Sequence, residues 1–403
     1  MKRYLIIADD FTGANDTGVQ LAKRGIETKV VLAGENIKQD QASYVLDTES
    51  RNISEEAAYE LVKKQLAGIF AGFDLVYKKI DSTLRGNITA EIRAMDEVYH
   101  WDLIIFAPAF PEVGRTTKDA VHFLNNVRLT ATEFAKDPHK PVLEDNIQKL
   151  LQAGLKENVS HHNLQQIREG KINFGGARIH TFDAEDNQDL EKIARAAQAT
   201  EKEILWVGSA GLANMIISVD KPFKPGLAIV GSLSEVSRTQ VEYGQKMGMG
   251  LLEIHMGHIL KGKKATSEIE KAVETLKRGE DLIITTSYDL EAYEEALRVG
   301  RELKMSREEI GFAVPKALGD ICAEIIKKTP VAGIFVTGGD TAMGFLNSVK
   351  ATGSTIIQEI ITGIPLVRLN GGDFDGLKLV TKAGGFGDEK ALHYSLAKIK
   401  ESS

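Results

Sequence analysis

Short runs of β-branched and other apolar residues recur along the chain, separated by stretches where apolar residues return at helical spacing. Arg3–Ala8, Thr28–Leu32, Ser43–Leu46, Leu75–Lys79 and Leu103–Ala107 have the length and Val/Ile content of strands. Gly13–Arg24, Ser54–Phe70 and Asn87–Tyr99 carry the pattern of helices that bury one face. Alternating strands and helices predict βαβ units, hence a largely parallel sheet covered on both sides. From Val121 to Gly175 the pattern is more polar and less regular. It resumes with a strand at Arg178–Thr181, a helix around Leu190–Ala197 and a strand at Ile204–Val207.

The stretch from Val219 to Gly226 (Val-Asp-Lys-Pro-Phe-Lys-Pro-Gly) holds two of only nine prolines, and two prolines forbid a continuous helix. It reads as a linker, 219–226, between domains at 1–218 and 227–403. A second α/β series follows it: strands at Leu227–Val230, Leu251–His255, Leu282–Thr286 and Gly333–Thr337, with helices at Glu235–Met247, Ser267–Lys277, near Tyr293–Leu303 and at Ala317–Lys327. The length of 403 residues suits two domains better than one. The predicted fold class is α/β: two α/β domains with largely parallel sheets and an active site in the crevice between them.

Composition narrows the function. The chain is 43% apolar and 27% charged, as soluble globular proteins are. A net charge of −7 argues against a general nucleic-acid or anionic-membrane binder. One cysteine, Cys322, excludes an internal disulfide and any multi-cysteine metal site. The apolar run Tyr4–Ala8 stops at Asp9-Asp10, short of the ~7–15 residues of an export signal core. No stretch approaches the ~18 apolar residues of a membrane span. These features point to the cytoplasm. Oligomeric state is unreadable, and a homo-oligomer is compatible with the sequence.

In an open α/β sheet, ligands sit outside the carboxyl ends of the strands. The chemically distinctive residues follow the predicted strands. Asp9 and Asp10 close the first and lead through Thr12-Gly13 into a helix, offering acceptors for sugar hydroxyls or a metal-bound water. An N-cap alone would need only one carboxylate. Arg51, after the third strand, is placed to offer a bidentate fork to a carboxylate. Lys78 and Lys79 end the fourth strand on opposite faces, so that one snorkels while the other reaches the site. Asp81, Ser82 and Arg85 then occupy the turn into the next helix. A cation beside an acid on one loop suits an anionic polyol. The loop after the fifth strand, Pro108-Ala-Phe-Pro111 with Gly114-Arg115-Thr116-Thr117, adds stiffness and a further cation.

The second half presents glycine instead. Residues 333–387 hold 12 of the 37 glycines, more than twice an even share. Gly231-Ser232-Leu233-Ser234, Thr337-Gly338-Gly339-Asp340-Thr341 and Ala383-Gly384-Gly385-Phe386-Gly387-Asp388 each link a strand-like run to a helix-like one, where free N–H groups bind anions. Three such turns in one domain suggest a nucleotide. Other signals fail. Gly257-x4-Gly262-Lys263-Lys264 has lysine where a Walker loop needs Ser or Thr. Val207-Gly208-Ser209-Ala210-Gly211 lacks the first glycine of a nucleophile elbow. His255 and His258 have no acidic third ligand at zinc-like spacing. No G-x-G-x-x-G follows the first strand. Trp101 and Trp206 read as packing residues.

Taken in order, Ala8-Asp-Asp-x-Thr-Gly-Ala, Lys79-Ile-Asp-Ser-Thr-Leu-Arg-Gly-Asn87, Pro108-Ala-x-Pro with Gly-Arg-Thr-Thr, Asp137-Pro138, Gly208-Ser-Ala-Gly-Leu, Gly231-Ser-x-Ser, Thr337-Gly-Gly-Asp-Thr-Ala and Lys382-Ala-Gly-Gly-Phe-Gly resemble the four-carbon acid sugar kinase family across nearly the whole chain. The resemblance implies an amino-terminal sugar-acid domain, a carboxyl-terminal nucleotide domain, and ATP-dependent phosphorylation of the terminal hydroxyl of threonate, erythronate or 3-oxo-tetronate. By motif it marks Asp10, Arg51 and Lys79 through Ser82 as substrate contacts, and Ser232, Gly338–Thr341 and Gly384 as ATP contacts.

Joined to the strand-end reading, the candidate substrate contacts are Asp9, Asp10, Arg51, Lys78, Lys79, Ile80, Asp81, Ser82 and Arg85. The candidate nucleotide contacts are Ser232, Ser234, Gly338, Gly339, Asp340, Thr341, Gly384 and Gly385. ATP and Mg²⁺ are the expected cofactors, with the metal ligands unassigned. The hydroxyl's proton goes to Asp81 or Asp10; Asp388 enters only by analogy with other small-molecule kinases. Two other readings stay open: a non-catalytic sugar-acid binding protein, and a dehydrogenase on a similar scaffold.

Overall fold

A computed structural model describes residues 2–35, 37–38, 40–69, 72–231, 234–286 and 290–401, with backbone alone for 290–293. The chain divides into two compact units, Met1–Pro222 and Phe223–Ser403. Helix Ala210–Asp220 runs two residues into the proline-rich stretch, which then carries no helix or strand before Leu227.

In the first unit, strands β1 (Tyr4–Ala8), β2 (Thr28–Leu32), β3 (Ser43–Asp47), β4 (Leu75–Lys79) and β5 (Leu103–Ala107) precede a small antiparallel sheet of β6 (Arg115–Lys118), β7 (Val121–Leu124) and β8 (Val127–Arg128). Strands β9 (Val159–His162), β10 (Ile179–Phe182) and β11 (Ile204–Gly208) complete an eight-stranded parallel sheet in the order β2-β3-β1-β4-β11-β5-β10-β9. Helices cover both faces, which is why β1 and β5 read as continuous apolar runs and β4 is apolar up to its closing lysines. Tyr4, Ile6 and Tyr77 belong to one core, and Leu5, Ile7 and Val76 to the other.

The second unit follows with β12 (Leu227–Val230), β13 (Gly250–Glu253), β14 (Leu282–Thr285), β15 (Ile334–Thr337), β16 (Gly353–Ile361), β17 (Ile364–Asn370) and β18 (Lys378–Lys382). Their order is β13-β14-β12-β15-β18-β17-β16, parallel except for the last two strands. No helix among the described residues is long and apolar enough to cross a membrane.

Several elements depart from the sequence pattern. The hairpins joining β6, β7 and β8 turn on Asp119-Ala120 and Asn125-Asn126, all four residues left-handed at φ 51, 63, 48 and 65. These are two-residue turns whose twist suits a hairpin. Asp-Ala is a weak turn signal, and its two N–H groups are held instead by Asp183, at 2.9 and 3.0 Å. Strand β16 carries no strand pattern in the sequence because bulges at Ile356/Gln358 and Glu359/Ile361 break the two-residue period, and most of the strand is exposed. The helix expected at Ala317–Lys327 starts at Arg307 and runs through Pro315 to Lys328, with a capping box from Ser306 and Glu309 at its start. Helix Glu55–Leu66 ends before Phe70, which lies outside the described residues.

Candidate functional site

Both sheets reverse direction at their first strand. From β1 the chain crosses two places to β2, returns through β3, and passes to the other side at β4. The second unit repeats this at β12, with β13, β14 and β15. Crevices open where connections leave neighbouring strands in opposite directions. In the first unit that places the ends of β3, β1 and β4 side by side, and with them Arg51, Asp9, Asp10 and the turn from Lys79 to Arg85.

A cavity of about 490 Å³ lies there, lined by Asp10, Arg51, Lys79, Asp81, Ser82 and Arg85 together with Arg115 and the start of helix Phe11–Ala22. Asp10 caps that helix, its Oδ1 accepting the Gly13 N–H at 2.9 Å. Glycine is required at position 13, because a Cβ would sit 2.5 Å from Asp10 Oδ1 and 2.8 Å from Lys79 Nζ. Arg51 faces inward as a fork, Nε and Nη2 donating to the two oxygens of Asp9 at 2.8 and 3.0 Å, and Nη1 to Asp10 Oδ2 at 2.7 Å. Burial opposes the guanidinium charge, but the hydrogen bonds and charge of Asp9 outweigh it and raise its pKa.

Asp81 is held on one side only. Its Oδ2 accepts Thr83 Oγ1 at 2.5 Å and Arg85 Nε at 2.6 Å. No protein donor to Oδ1 is found among the described residues. Burial works against the carboxylate, yet the Arg85 hydrogen bond and the Arg51 charge hold its pKa below the ordinary value. Arg85 also reaches Asp137 Oδ2 at 3.1 Å and lies over the Phe134 ring. Lys79 is 5% exposed and donates to the Ile80 carbonyl at 3.1 Å. Burial lowers its pKa, while the charges of Asp9, Asp10 and Asp81 resist that fall. Arg115 donates to the Val113 carbonyl, and its buried Nε finds no partner among the described residues. Among the described residues, neither Lys79 nor Arg115 forms an ion pair with a carboxylate.

In the second unit, Gly231 after β12 and the turn Gly338–Thr341 after β15 border a cavity of about 460 Å³ whose far wall is apolar, with Leu297, Ile310 and Val314. Gly338 has φ 98 and starts helix Gly339–Ser348, whose first N–H groups have no acceptor within the helix. A Cβ on Gly231 would lie 2.0 Å from Thr341 Oγ1, so the two turns touch only because residue 231 is glycine. At the end of neighbouring β18, the glycine turn is held by its carbonyls. Ser234 Oγ donates to Gly384 at 2.7 Å, Lys382 Nζ to Ala383 and Gly384 at 3.1 and 2.8 Å, and Gln240 Nε2 to Phe386 and Asp388 at 3.1 and 2.8 Å. No acceptor is found among the described residues for the Gly384 and Gly385 amides. Burial pushes the Lys382 ammonium down to about 8. No group of three or more His, Cys, Asp or Glu among the described residues could hold a metal ion unaided.

Comparison with known proteins now bears on these crevices. The family profile of a sugar-binding N-terminal domain matches residues 4–216, and that of a nucleotide-binding C-terminal domain matches residues 227–392. The chain belongs to the four-carbon acid sugar kinase family. It is 34% identical to a D-threonate kinase of Salmonella typhimurium, covering 99% of each chain. It is 28% identical to a D-erythronate kinase of Heliobacterium modesticaldum, covering 100% of this chain and 99% of that one. A Bordetella bronchiseptica protein, solved with bound citrate as a domain-swapped dimer, superposes with a TM-score of 0.71 at 27% identity, covering 99% and 98%.

In this four-carbon acid sugar kinase the residues read from the strand ends fall into two groups. Asp10, Arg51, Lys79, Asp81, Ser82 and Arg85 meet at one cavity, as Gly338, Gly339, Asp340 and Thr341 do at the other. Ser234, Gly384 and Gly385 lie along the adjoining strand end, whereas Ser232 falls outside the described residues. Two of the expected substrate contacts, Lys78 and Ile80, turn their side chains away from the cavity. Lys78 points into the opposite core and pairs with Glu91 at 2.5 Å, fully buried, because strand alternation sends it away from Lys79. Ile80 is a core side chain. Asp9 lies beneath Arg51 and accepts its Nε and Nη2, while Arg51 still lines the cavity.

The sequence pattern also missed supports from the irregular middle segment. Asp137, Lys140, which donates to Asn87 Oδ1 at 2.8 Å, and His122, which contacts the Ser82 carbonyl, all brace the site. Asp137-Pro138 was a visible motif, whereas a lone buried histidine has no local signature.

Proposed function

We propose that the protein transfers the γ-phosphoryl group of ATP to the terminal hydroxyl of a four-carbon sugar acid, with D-threonate the first candidate. The observation that carries this reading is that a polar, cation-bearing cavity and a glycine-turn cavity sit at the same topological position in two α/β units. The relatives' names point the same way, three of them D-threonate kinases at 34%, 30% and 30% identity. ATP is of cytoplasmic supply, so the cytoplasm is the compartment we infer. A homodimer is proposed from the domain-swapped neighbour.

The chemistry assigns each group a task. The substrate carboxylate goes to Arg115 and Lys79, the cavity's cations without an ion-pair partner among the described residues, rather than to Arg51. Hydroxyls meet Asp10 and Ser82. The terminal hydroxyl oxygen forms a bond to the γ-phosphorus as the bond to the β-phosphate oxygen breaks, and its proton passes to Asp81 Oδ1. A carboxylate of low pKa suffices, because the loose transition state of phosphoryl transfer asks little of the base until late. Backbone N–H groups at Gly338–Thr341 and Gly384–Gly385 fit the phosphates, and the apolar wall fits the base. Asp340, exposed at its turn, suits Mg²⁺, which needs only one or two carboxylates beside phosphates and water. The ion would neutralise charge on the phosphates.

A screen of D- and L-threonate, the erythronates and 3-oxo-tetronates for ADP release with Mg-ATP tests this. Turnover of at least one is expected. Normal ATP binding with no acid phosphorylated overturns it.

A further inference from the structure

Between Asp81 and Arg85 the main chain makes a turn with Leu84 left-handed at φ 58, and Gly86 follows at φ 105. Asp81 and Ser82, which the turn offers to the cavity beside Arg85, depend on how this strained segment is held. Two restraints come from within it: the bonds of Arg85 and Thr83 to Asp81. A third comes from elsewhere. His122, on β7 and fully buried, brings Nε2 to 2.9 Å from the Ser82 carbonyl and Nδ1 to 2.9 Å from Thr117 Oγ1.

A carbonyl only accepts, so Nε2 must carry the proton. Burial pushes the ring down to about 4, which leaves it neutral at physiological pH with a bare Nδ1 that accepts the Thr117 hydroxyl. Thr117 lies opposite His122 across the β6–β7 pair, and its own N–H and carbonyl bond Ala184, just beyond β10. The Ser82 peptide is therefore tied through one imidazole and one threonine to the end of the main sheet. With both nitrogens engaged and no exposed surface, His122 has no means of exchanging a proton with a ligand.

We propose that His122 is a positioning residue of the sugar-acid site, fixing the Ser82 carbonyl and so the aim of Asp81 and Ser82 into the cavity. This rests on the kinase reading above. Histidine suits the position because its rigid ring donates on one side and accepts on the other.

His122→Phe keeps a ring but loses both bonds; His122→Gln restores a donor toward Ser82. Steady-state kinetics of His122→Phe should show the sugar-acid KM raised and kcat lowered by about tenfold each, with the ATP KM changed by less than about twofold. His122→Gln should recover most of the loss. Amide hydrogen exchange across residues 81–87 should quicken in His122→Phe and slow again in His122→Gln, a readout that needs no turnover. Should His122→Phe fail to fold, Thr117→Val must show the same pattern at smaller size. Unchanged sugar-acid kinetics and unchanged exchange at the turn overturn the proposal, as does an equal loss toward ATP. If the unaltered enzyme phosphorylates no four-carbon acid, the kinase reading falls, and the exchange data alone decide the role of His122.

Discussion

The two units share a strand order at their working ends, β2-β3-β1-β4 in one and β13-β14-β12-β15 in the other, yet line the resulting crevices by opposite means. In the first, charged side chains converge and mostly satisfy one another: Arg51 with Asp9 and Asp10, Arg85 with Asp81 and Asp137. In the second, glycines clear the side chains away and leave backbone amides. One topology thus serves two kinds of recognition. A small polyol acid needs several differently shaped partners, which side chains supply. A phosphate tail is recognised by repeated N–H donors, which main chain supplies wherever it turns into a helix.

The contrast predicts effects that segregate by substrate. The largest is expected for Asp81→Asn, which should cut kcat by about 10³-fold while leaving the ATP KM nearly unchanged. A parallel rise in the ATP KM would break the separation. Next is the scaffold beneath the charged crevice. Glu91→Leu leaves Lys78 as an unpaired buried cation and should cost about 3–5 kcal/mol of stability in urea denaturation.

Gly231→Ala drives a methyl group against Thr341 and should raise the ATP KM by about ten- to a hundredfold, with sugar-acid binding by calorimetry unaffected. Arg115→Met should weaken the sugar acid by about tenfold and leave ATP alone. If Arg51→Met instead gave the pure substrate-affinity defect with stability intact, the carboxylate would have to be reassigned to Arg51.

The smallest effect is one of pH. Burial pushes the Asp47 carboxyl up to about 6, and its Oδ2 finds no partner among the described residues. Its folded pKa exceeds the unfolded one, so the folded state holds the extra proton between them and loses that stabilisation as pH rises through 6. The gap in thermal midpoint between the native enzyme and Asp47→Asn should therefore shift in favour of Asp47→Asn from pH 5 to pH 7. A gap independent of pH would count against it.

The sequence made the parallel cores and both crevices legible because buried strands and strand-end motifs are local signals. Asp81 and Gly338 could be placed from their neighbours alone. Partnership could not. That Arg51 is paired with Asp9 and that His122 contacts Ser82 are facts about residues 40 or more positions apart, and Glu91, which answers Lys78, lies on the following helix. The Asp119-Ala120 hairpin depends in the same way on Asp183, a distant side chain that supplies what the turn sequence lacks.

The paired lysines of β4 carry a consequence for folding. Leu75, Val76 and Tyr77 are apolar on both faces, so greasiness alone would accept the strand slid by one residue. Such a slip would strand one ammonium away from Glu91 and withdraw the other from the aspartates. Electrostatic identity, position by position, is what pins this strand in place.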